Sequence, residues 1–218
     1  MGFIQSLNSE KDKTMKDQII RFMQECPVAK GQAFSNNPYG AFVRTEIPEV
    51  LYDTGLVDRE KYLITASVGA GNWAMIPWIC IFDRSITTSA TKGVYIVYLL
   101  SKDSERLYLT LNQGCTEIRK QHSRRETIDI MHQKAEEIRA SVSAQGFTAD
   151  CDIDLGDGLT ELGILYREGT IFYKRYDVNA VPDEAELRDD LSRMMSIYDD
   201  YAKNLNIRKE RSLPNRNN

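Results

Sequence analysis

The sequence predicts an α+β fold: a mostly antiparallel, twisted and partly curled sheet, flanked by helices, in a single domain. Short apolar or β-branched runs follow one another between residues 61 and 113, and turn residues separate them. Amphipathic helical patterns precede and follow this block, and no linker, repeat or change of composition divides the chain. We therefore expect an N-terminal extension over 1–14, the domain over 15–205 and a polar, flexible tail over 206–218.

The elements are predicted in chain order. Apolar residues at helical spacing predict a helix over about 14–26, and "AFVRTEIPEVLYDTG" predicts a second helix, kinked near Pro48 and ended by Gly55. The runs "KYLITASV", "IPWICIF", "GVYIVYLL" and "ERLYLTLN" predict consecutive strands, with "SKDSER" as a hairpin turn. "RETIDIMHQKAEEIRAS" predicts a helix, "DCDIDLGDG" a short half-exposed strand, and "ELGILYREGTIFYKRYDV" one or two more strands or an extended arm. Pro182 opens a last helix, whose apolar stripe reaches Leu205.

Composition and charge narrow the function classes. The net charge of −4 disfavours a protein that coats nucleic acid by bulk electrostatics, but it permits a reader that grips one nucleotide in a shaped pocket. The four cysteines form no CxxC pair and there are only two histidines, so a zinc site lacks its usual ligands and no metal or cofactor is expected. No apolar run approaches the ~20 residues of a membrane span, and no signal peptide is expected, so we predict a cytoplasmic protein without a membrane partner.

Two motifs resemble a dinucleotide-binding site and a calcium-binding loop, but neither has the residues that such a site needs. Gly69, Gly71 and Ala74 match the spacing of a dinucleotide fingerprint, but the chain continues past Pro77 as a strand instead of opening a helix. "DCDIDLGDGLTE" spaces its acids like a calcium loop, yet Leu155 stands where such a loop must turn on glycine. Because no acid–base pair, nucleophile or Walker sequence is recognisable, we predict no catalytic residue.

An aromatic cavity on the sheet is the first candidate site. Tyr95 and Leu99 lie four positions apart on one strand, so both point to the same face, and Trp78 joins them if its strand is the neighbour. A plain aromatic core is the alternative interpretation of the same residues. The segment "TTSATKG" is expected at the end of the sheet where the glycine loop lies. The predicted phosphate contacts come from this segment and from the basic group that follows the last consecutive strand: Thr87, Thr88, Ser89, Lys92, Arg119, Lys120 and Arg124.

An ordered series of motifs identifies a family resemblance. "SVGAGNWAMIPWICIFDRSITTSATKGVYIVYLL", "LYLTLNQG", "YREGTIFYKRYDV" and "VPDEAELRDDLSRMMSIYDDY" together resemble the N-terminal domain of McrB-type modification-dependent restriction proteins, over roughly 15–205. The resemblance implies a noncatalytic domain that recognises double-stranded DNA with a modified cytosine, such as 5-methylcytosine, by flipping that base into a pocket in the sheet. A separate AAA+ GTPase motor and a McrC-type nuclease would perform translocation and cleavage in bacterial defence against phage. Since oligomers in this family come from the motor, the isolated domain is expected to be a monomer.

The resemblance also implies roles for individual residues. Trp78, Tyr95 and Leu99 match the base pocket, and Tyr166 and Tyr173 are candidates for a further pocket aromatic. The DNA-binding loop is formed by Ser67, Gly69, Ala70, Gly71, Asn72 and Trp73. Ala70 departs from the family pattern, in which a bulky tyrosine wedge fills the gap left by the flipped base. Trp73 or another loop would have to take that part.

Two other function classes stay open. In the first, the chain is a protein-interaction or regulatory module, and the aromatic residues are its structural core. In the second, it is an enzyme acting on a small aromatic or nucleotide ligand in the same pocket. The absence of positioned acid–base or metal groups counts against the enzyme.

Overall fold

The structure of the chain is a computed structural model that describes residues 14–212, with side chains described for 14–207. Its elements have the following bounds. The helices are α1 Met15–Lys30, α2 Pro38–Ala41, α3 Ile47–Asp53, α4 Thr116–Arg119, α5 Arg124–Arg139, α6 Glu161–Glu168 and α7 Glu184–Ser212. The strands are β1 Tyr62–Ser67, β2 Trp78–Asp83, β3 Val94–Leu100, β4 Arg106–Gln113 and β5 Phe172–Asp177. No helix within 14–212 is long and apolar enough to cross a membrane.

The five strands form one open sheet in the order β1-β2-β3-β4-β5, and every neighbouring pair is antiparallel. The predicted α+β fold with an antiparallel sheet in a single domain is therefore confirmed. Register places Trp78 opposite Leu99 and Tyr95 opposite Asn112. These pairs bring the side chains of three strands to one face.

The two faces of the sheet pack differently. Side chains alternate along each strand, so β2, β3 and β4 send apolar residues to both sides. The helix face packs against α7 and includes Ile79, Ile81, Tyr98, Leu109 and Tyr176. The cavity face is opposite and includes Trp78, Cys80, Tyr95, Val97 and Leu99. This double burial explains why β3 is buried along its whole length.

Helix α1 begins at a capping box and extends further than predicted. The Thr14 hydroxyl accepts a hydrogen bond from the Asp17 amide at 3.1 Å, and the Glu184 carboxylate accepts one from the Lys16 amide at 2.7 Å. An acid from the start of α7 thus satisfies an amide that the first turn of α1 leaves unpaired. The helix runs through Pro27 to Lys30 instead of ending near residue 26.

The second predicted helix is interrupted ahead of its proline. Between α2 and α3 the chain forms a π-helical turn, Phe42–Glu46, in which the Ile47 amide donates to the Phe42 carbonyl. Pro48 lies in the first turn of α3, where its missing N–H costs little. The Pro48 ring would collide with a regular α-helical turn before it. Pro48 therefore explains why the helix widens to a π-helical turn, and why it does so just ahead of the proline.

In the C-terminal half, one sequence prediction was wrong and a second was correct only in part. The segment "DCDIDLGDG" is not a strand: Ile153 and Leu155 are buried as the alternation indicates, but no residue of 150–158 pairs with the sheet, and the isolated bridge of Thr148 to Tyr173 lies just before the segment. The segment "ELGILYREGTIFYKRYDV" supplies one of the one or two predicted strands, β5, but its first part, residues 161–168, forms helix α6 instead of a strand or extended arm. Helix α7 continues to Ser212, so it includes the first part of the segment 206–218 treated as a tail. Residues 1–13 of the predicted extension and 213–218 lie outside the described residues.

Candidate functional site

A small cavity on the cavity face brings together four of the five predicted pocket residues. Trp78, Tyr95 and Leu99 line it from β2 and β3, and Tyr166 closes it from α6. The remaining lining residues are Cys80, Ala90, Val97 and Asn112. Cys80 and Val97 follow Trp78 and Tyr95 by two positions, so strand alternation could have identified them. Ala90 and Asn112 carried no such signal in the sequence.

Hydrogen bonds fix the polar groups of the cavity. The Tyr95 hydroxyl donates to the Ala90 carbonyl at 3.0 Å, which holds the β2–β3 loop over the sheet. The Asn112 amide donates to the Tyr166 carbonyl at 3.0 Å and to the Thr170 hydroxyl at 3.2 Å. Burial raises the pKa of the Tyr95 and Tyr166 phenols above their usual range, so both rings stay neutral. The cavity is therefore an uncharged aromatic site with a few fixed polar groups.

The cavity is nearly closed in this conformation. The volume open to the centre of a water molecule is about 10 Å³, which is room for about one water. A pyrimidine base is several times larger, so a base could enter only if the walls moved apart. Trp78 and Tyr166 are half-buried, whereas Tyr95 and Leu99 are buried, so the first two are the walls that face the opening.

The structure places Tyr173 apart from this cavity. Its ring meets Tyr108 edge-on at 5.9 Å between centroids, and its hydroxyl donates to the Asp152 carbonyl at 3.2 Å. Tyr173 therefore holds the segment that follows Thr148 against β5. It does not line the cavity with Trp78.

The loop after β1 is a tight turn with an exposed tip. The Ala74 amide donates to the Val68 carbonyl at 2.7 Å and closes the loop at its base. At the other side, Arg44 donates to the Gly69 carbonyl at 3.2 Å. Residues 70–72 are exposed, and Asn72 carries the largest side chain among them.

Trp73 is anchored in the packing below this tip. Its indole N–H donates to the Gln32 carbonyl at 3.0 Å, and its ring meets Phe34 edge-on at 5.0 Å between centroids. Tyr39 lies beyond, at 6.2 Å. Because the indole is held on several sides, Trp73 positions the loop and does not project from it as a wedge.

The Gly69→Ala variant is expected to be less stable than Gly71→Ala. Gly69 has φ +118° and Gly71 has φ +77°. A Cβ at Gly69 would lie 1.9 Å from the Asn72 carbonyl oxygen, whereas nothing lies within 4 Å of one at Gly71. We expect Gly71→Ala to cost about 1 kcal/mol of unfolding free energy, and Gly69→Ala about 1 kcal/mol more because the loop must rearrange. Urea unfolding of both variants checks this, and equal costs would contradict it.

The "TTSATKG" segment lies at the opposite end of β2 from the glycine loop, contrary to expectation. Consecutive loops of an antiparallel meander must leave a shared strand at opposite ends. Since β2 has six residues, the two loops emerge roughly 17 Å apart at about 3.4 Å per residue. Ala90 nevertheless reaches the cavity, because the loop folds back over the sheet. The β2–β3 loop comes close to the end of β4 at Gly114. A Cβ there would lie 2.2 Å from the backbone nitrogen of Lys92, so the close approach depends on glycine.

The predicted phosphate contacts differ in their availability. Lys92, Thr88 and Arg124 are exposed, and within residues 14–207 neither cation has a side-chain ion pair. Arg119 is paired with Glu161 at 2.6 Å, and Lys120 with Glu117 at 2.9 Å. Thr87 and Ser89 bond to each other within the loop: Thr87 is buried, and its hydroxyl donates to the Ser89 carbonyl.

Comparison with known protein families decides the assignment. A family model described as "MrcB-like, N-terminal domain" matches residues 21–203, which include the cavity, the glycine loop and the basic group. The chain belongs to this family. No curated protein matches the chain. Membership as an MrcB-like N-terminal domain points to a DNA-binding module of McrB-like systems, one that is not itself catalytic.

Proposed function

We propose that this MrcB-like domain recognises double-stranded DNA containing a modified cytosine, and that the modified base flips into the cavity beneath Trp78. The observation that carries the proposal is the cavity itself: aromatic rings from β2, β3 and α6 meet on a sheet face beside an exposed, glycine-rich loop. In this arrangement the loop after β1 meets the duplex, and the base stacks on Trp78.

The energetics require more than one aromatic contact. Flipping a base costs a few kcal/mol, and stacking returns about 1–3 kcal/mol per base. A single tryptophan therefore barely compensates, but a second ring from Tyr166 and polar contacts to the base edge can. The Asn112 side chain, the Ala90 carbonyl and the hydroxyls of Tyr95 and Tyr166 are polar groups of the lining residues.

Base entry requires movement of α6 or of the loop over the sheet. The cavity admits about one water, and the bonds that close it run from Asn112 to the Tyr166 carbonyl and from Tyr95 to Ala90. Opening would break one or two neutral hydrogen bonds, each worth about 1 kcal/mol net. That cost is small enough for a bound base to compensate. A McrB-type AAA+ GTPase motor and a McrC-type nuclease are the partners that this role implies, in a bacterial defence system.

A binding comparison tests the modified-base proposal. Three duplexes differ only in whether one cytosine is plain, 5-methylated or 5-hydroxymethylated. We expect the isolated domain to bind one modified duplex at least about 10-fold more tightly than the plain one, a difference of about 1.4 kcal/mol. Equal binding of all three would contradict recognition of either modification and favour the alternative in which the aromatics are structural.

Lys92→Ala is expected to weaken binding to modified and plain DNA alike. An exposed lysine without an ion pair in the described residues has its charge free for a phosphate. Removing one such contact should lower the steepness of log K against log salt by about 0.9. Lys203→Ala is the matched control, because Lys203 lies on α7 and is paired with Asp200 at 3.2 Å. An unchanged slope for Lys92→Ala would remove Lys92 from the interface.

A further inference from the structure

Three side chains with metal-ligand chemistry converge beside α6, away from the cavity lining. They are His132 from α5, Cys151 from the segment between α5 and α6, and Glu168 at the end of α6. The His132 Nε2 atom lies 2.8 Å from a Glu168 carboxylate oxygen and 3.9 Å from the Cys151 sulfur. All three ligand atoms lie within 4.8 Å of one another.

Two of the three spacings are near those around a tetrahedral zinc ion, and the third, between the Cys151 sulfur and the Glu168 carboxylate, is within 4.8 Å and has to close by at most about 1.2 Å. Zinc binds histidine nitrogen at about 2.0–2.1 Å, carboxylate oxygen at about 2.0–2.2 Å and cysteine sulfur at about 2.3 Å. Ligand atoms around a tetrahedral ion at those radii lie roughly 3.3–3.6 Å apart. The 3.9 Å sulfur–nitrogen distance is close to this range, and the 2.8 Å hydrogen bond between His132 and Glu168 has to open by about half an ångström.

We propose that His132, Cys151 and Glu168 bind one zinc ion, with a fourth position left to water. A nitrogen, a thiolate and a carboxylate oxygen form a ligand set that suits this borderline-soft ion better than calcium or magnesium, which prefer oxygen alone. All three residues are half-buried, so the ion can reach the site from solvent. Zinc binding at this site does not depend on whether the domain recognises DNA.

The surroundings already orient two of the ligands. Arg167 donates to one oxygen of Glu168 at 2.7 Å, which leaves the other oxygen directed at His132. Cys151 lies between the Thr148 bridge to β5 and Asp152, whose carbonyl is held by Tyr173. Cys151 is also the one cysteine of the four that is not buried. The positive charges of Arg167 and of Arg139 nearby oppose the ion, and the Glu168 and thiolate charges offset them.

Zinc at this site would fix the wall of the cavity. Glu168 follows Tyr166 by two positions on α6. An ion that ties α6 to α5 and to the segment at Cys151 would hold Tyr166 in place. We therefore expect free zinc to raise the melting temperature of the metal-free domain.

The experiment uses the domain freed of metal by chelation. Zinc is titrated in competition with a chromophoric chelator, and Co²⁺ replaces zinc for spectroscopy. We expect one ion per chain and a thiolate-to-cobalt charge-transfer band. Cys151→Ser should abolish the band and weaken zinc binding at least 100-fold, since losing even an outer-shell partner typically costs about 10–100-fold. His122→Gln is the matched control, because His122 is the chain's other histidine and is exposed.

The remaining variants and outcomes decide the proposal. His132→Gln and Glu168→Gln should each weaken binding at least 10-fold, with circular dichroism showing that the variants fold. The spectrum of wild-type protein decides by itself if a variant does not fold. The proposal is overturned if wild-type protein gives no charge-transfer band, or if Cys151→Ser and His122→Gln bind zinc equally.

Discussion

In the Trp78→Ala variant, the preference for modified over plain DNA is expected to fall by about 1–3 kcal/mol, or about 5- to 150-fold. Trp78 is half-buried at the opening of the cavity, so its ring face is the surface that a flipped base would meet. Binding to plain DNA depends on phosphate contacts and should hardly change. Titration of modified and plain duplexes at one salt concentration measures both quantities.

Thermal melting of the same variant separates the proposed function from the structural alternative. If Trp78 served only the core, its removal would cost about 3–5 kcal/mol of stability and would affect all DNA binding equally. Trp78→Phe is the conservative companion, because it keeps a smaller stacking surface and should retain part of the preference. A folded Trp78→Ala protein that keeps the wild-type preference would refute the base-pocket assignment.

The largest loss of stability is expected from Asp190→Ala. Asp190 is fully buried on α7, where its carboxylate accepts hydrogen bonds from Tyr176 at 2.9 Å and from Lys174 at 2.9 Å. Arg193 completes the pairing at 2.5 Å. Removing the carboxylate leaves the buried Tyr176 hydroxyl without its acceptor and takes one of two acid partners from both Lys174 and Arg193, which we expect to cost about 2–4 kcal/mol. Urea unfolding gives the change in unfolding free energy.

The neighbouring acid provides the control for this prediction. Asp189 is exposed and pairs with the same Arg193 at 2.9 Å. A surface ion pair is worth at most about 1 kcal/mol, so Asp189→Ala should be nearly neutral. Equal stability of the two variants would contradict a stabilising role for the buried Asp190 network.

The sheet was predictable because its signals are local. Each of β1 to β4 has its own apolar or β-branched run, and strands that follow one another across connections of ten residues or fewer usually pair. Helix α6 was missed although its signals were present: the Thr160 hydroxyl caps it by accepting from the Gly163 amide at 3.2 Å, and Gly169 ends it. Its short apolar run is equally typical of a strand, and packing against the rest of the domain determines that it forms a helix.

The sites were predictable only where they lie on neighbouring strands. Trp78, Tyr95 and Leu99 could be placed together because pairing of adjacent strands follows from alternation and chain order. The contact of Tyr166 with them depends on how α6 packs, so only the family resemblance could suggest it. His132, Cys151 and Glu168 come from separate segments with no metal-binding spacing between them, so the zinc proposal had no signal in the sequence.

The position of α7 in the chain has a consequence for synthesis on the ribosome. The strands β1 to β4 are complete by Gln113, but the helix that covers one of their faces begins only at Glu184. At about 5–20 residues per second, that apolar face waits on the order of several seconds for its cover. During this interval, residues such as Ile81 and Tyr98, later among the most buried, face solvent or a chaperone. A nascent chain whose synthesis is halted after β4 but before α7 should therefore bind holdase chaperones more strongly than a chain in which α7 has left the ribosome as far as Tyr201.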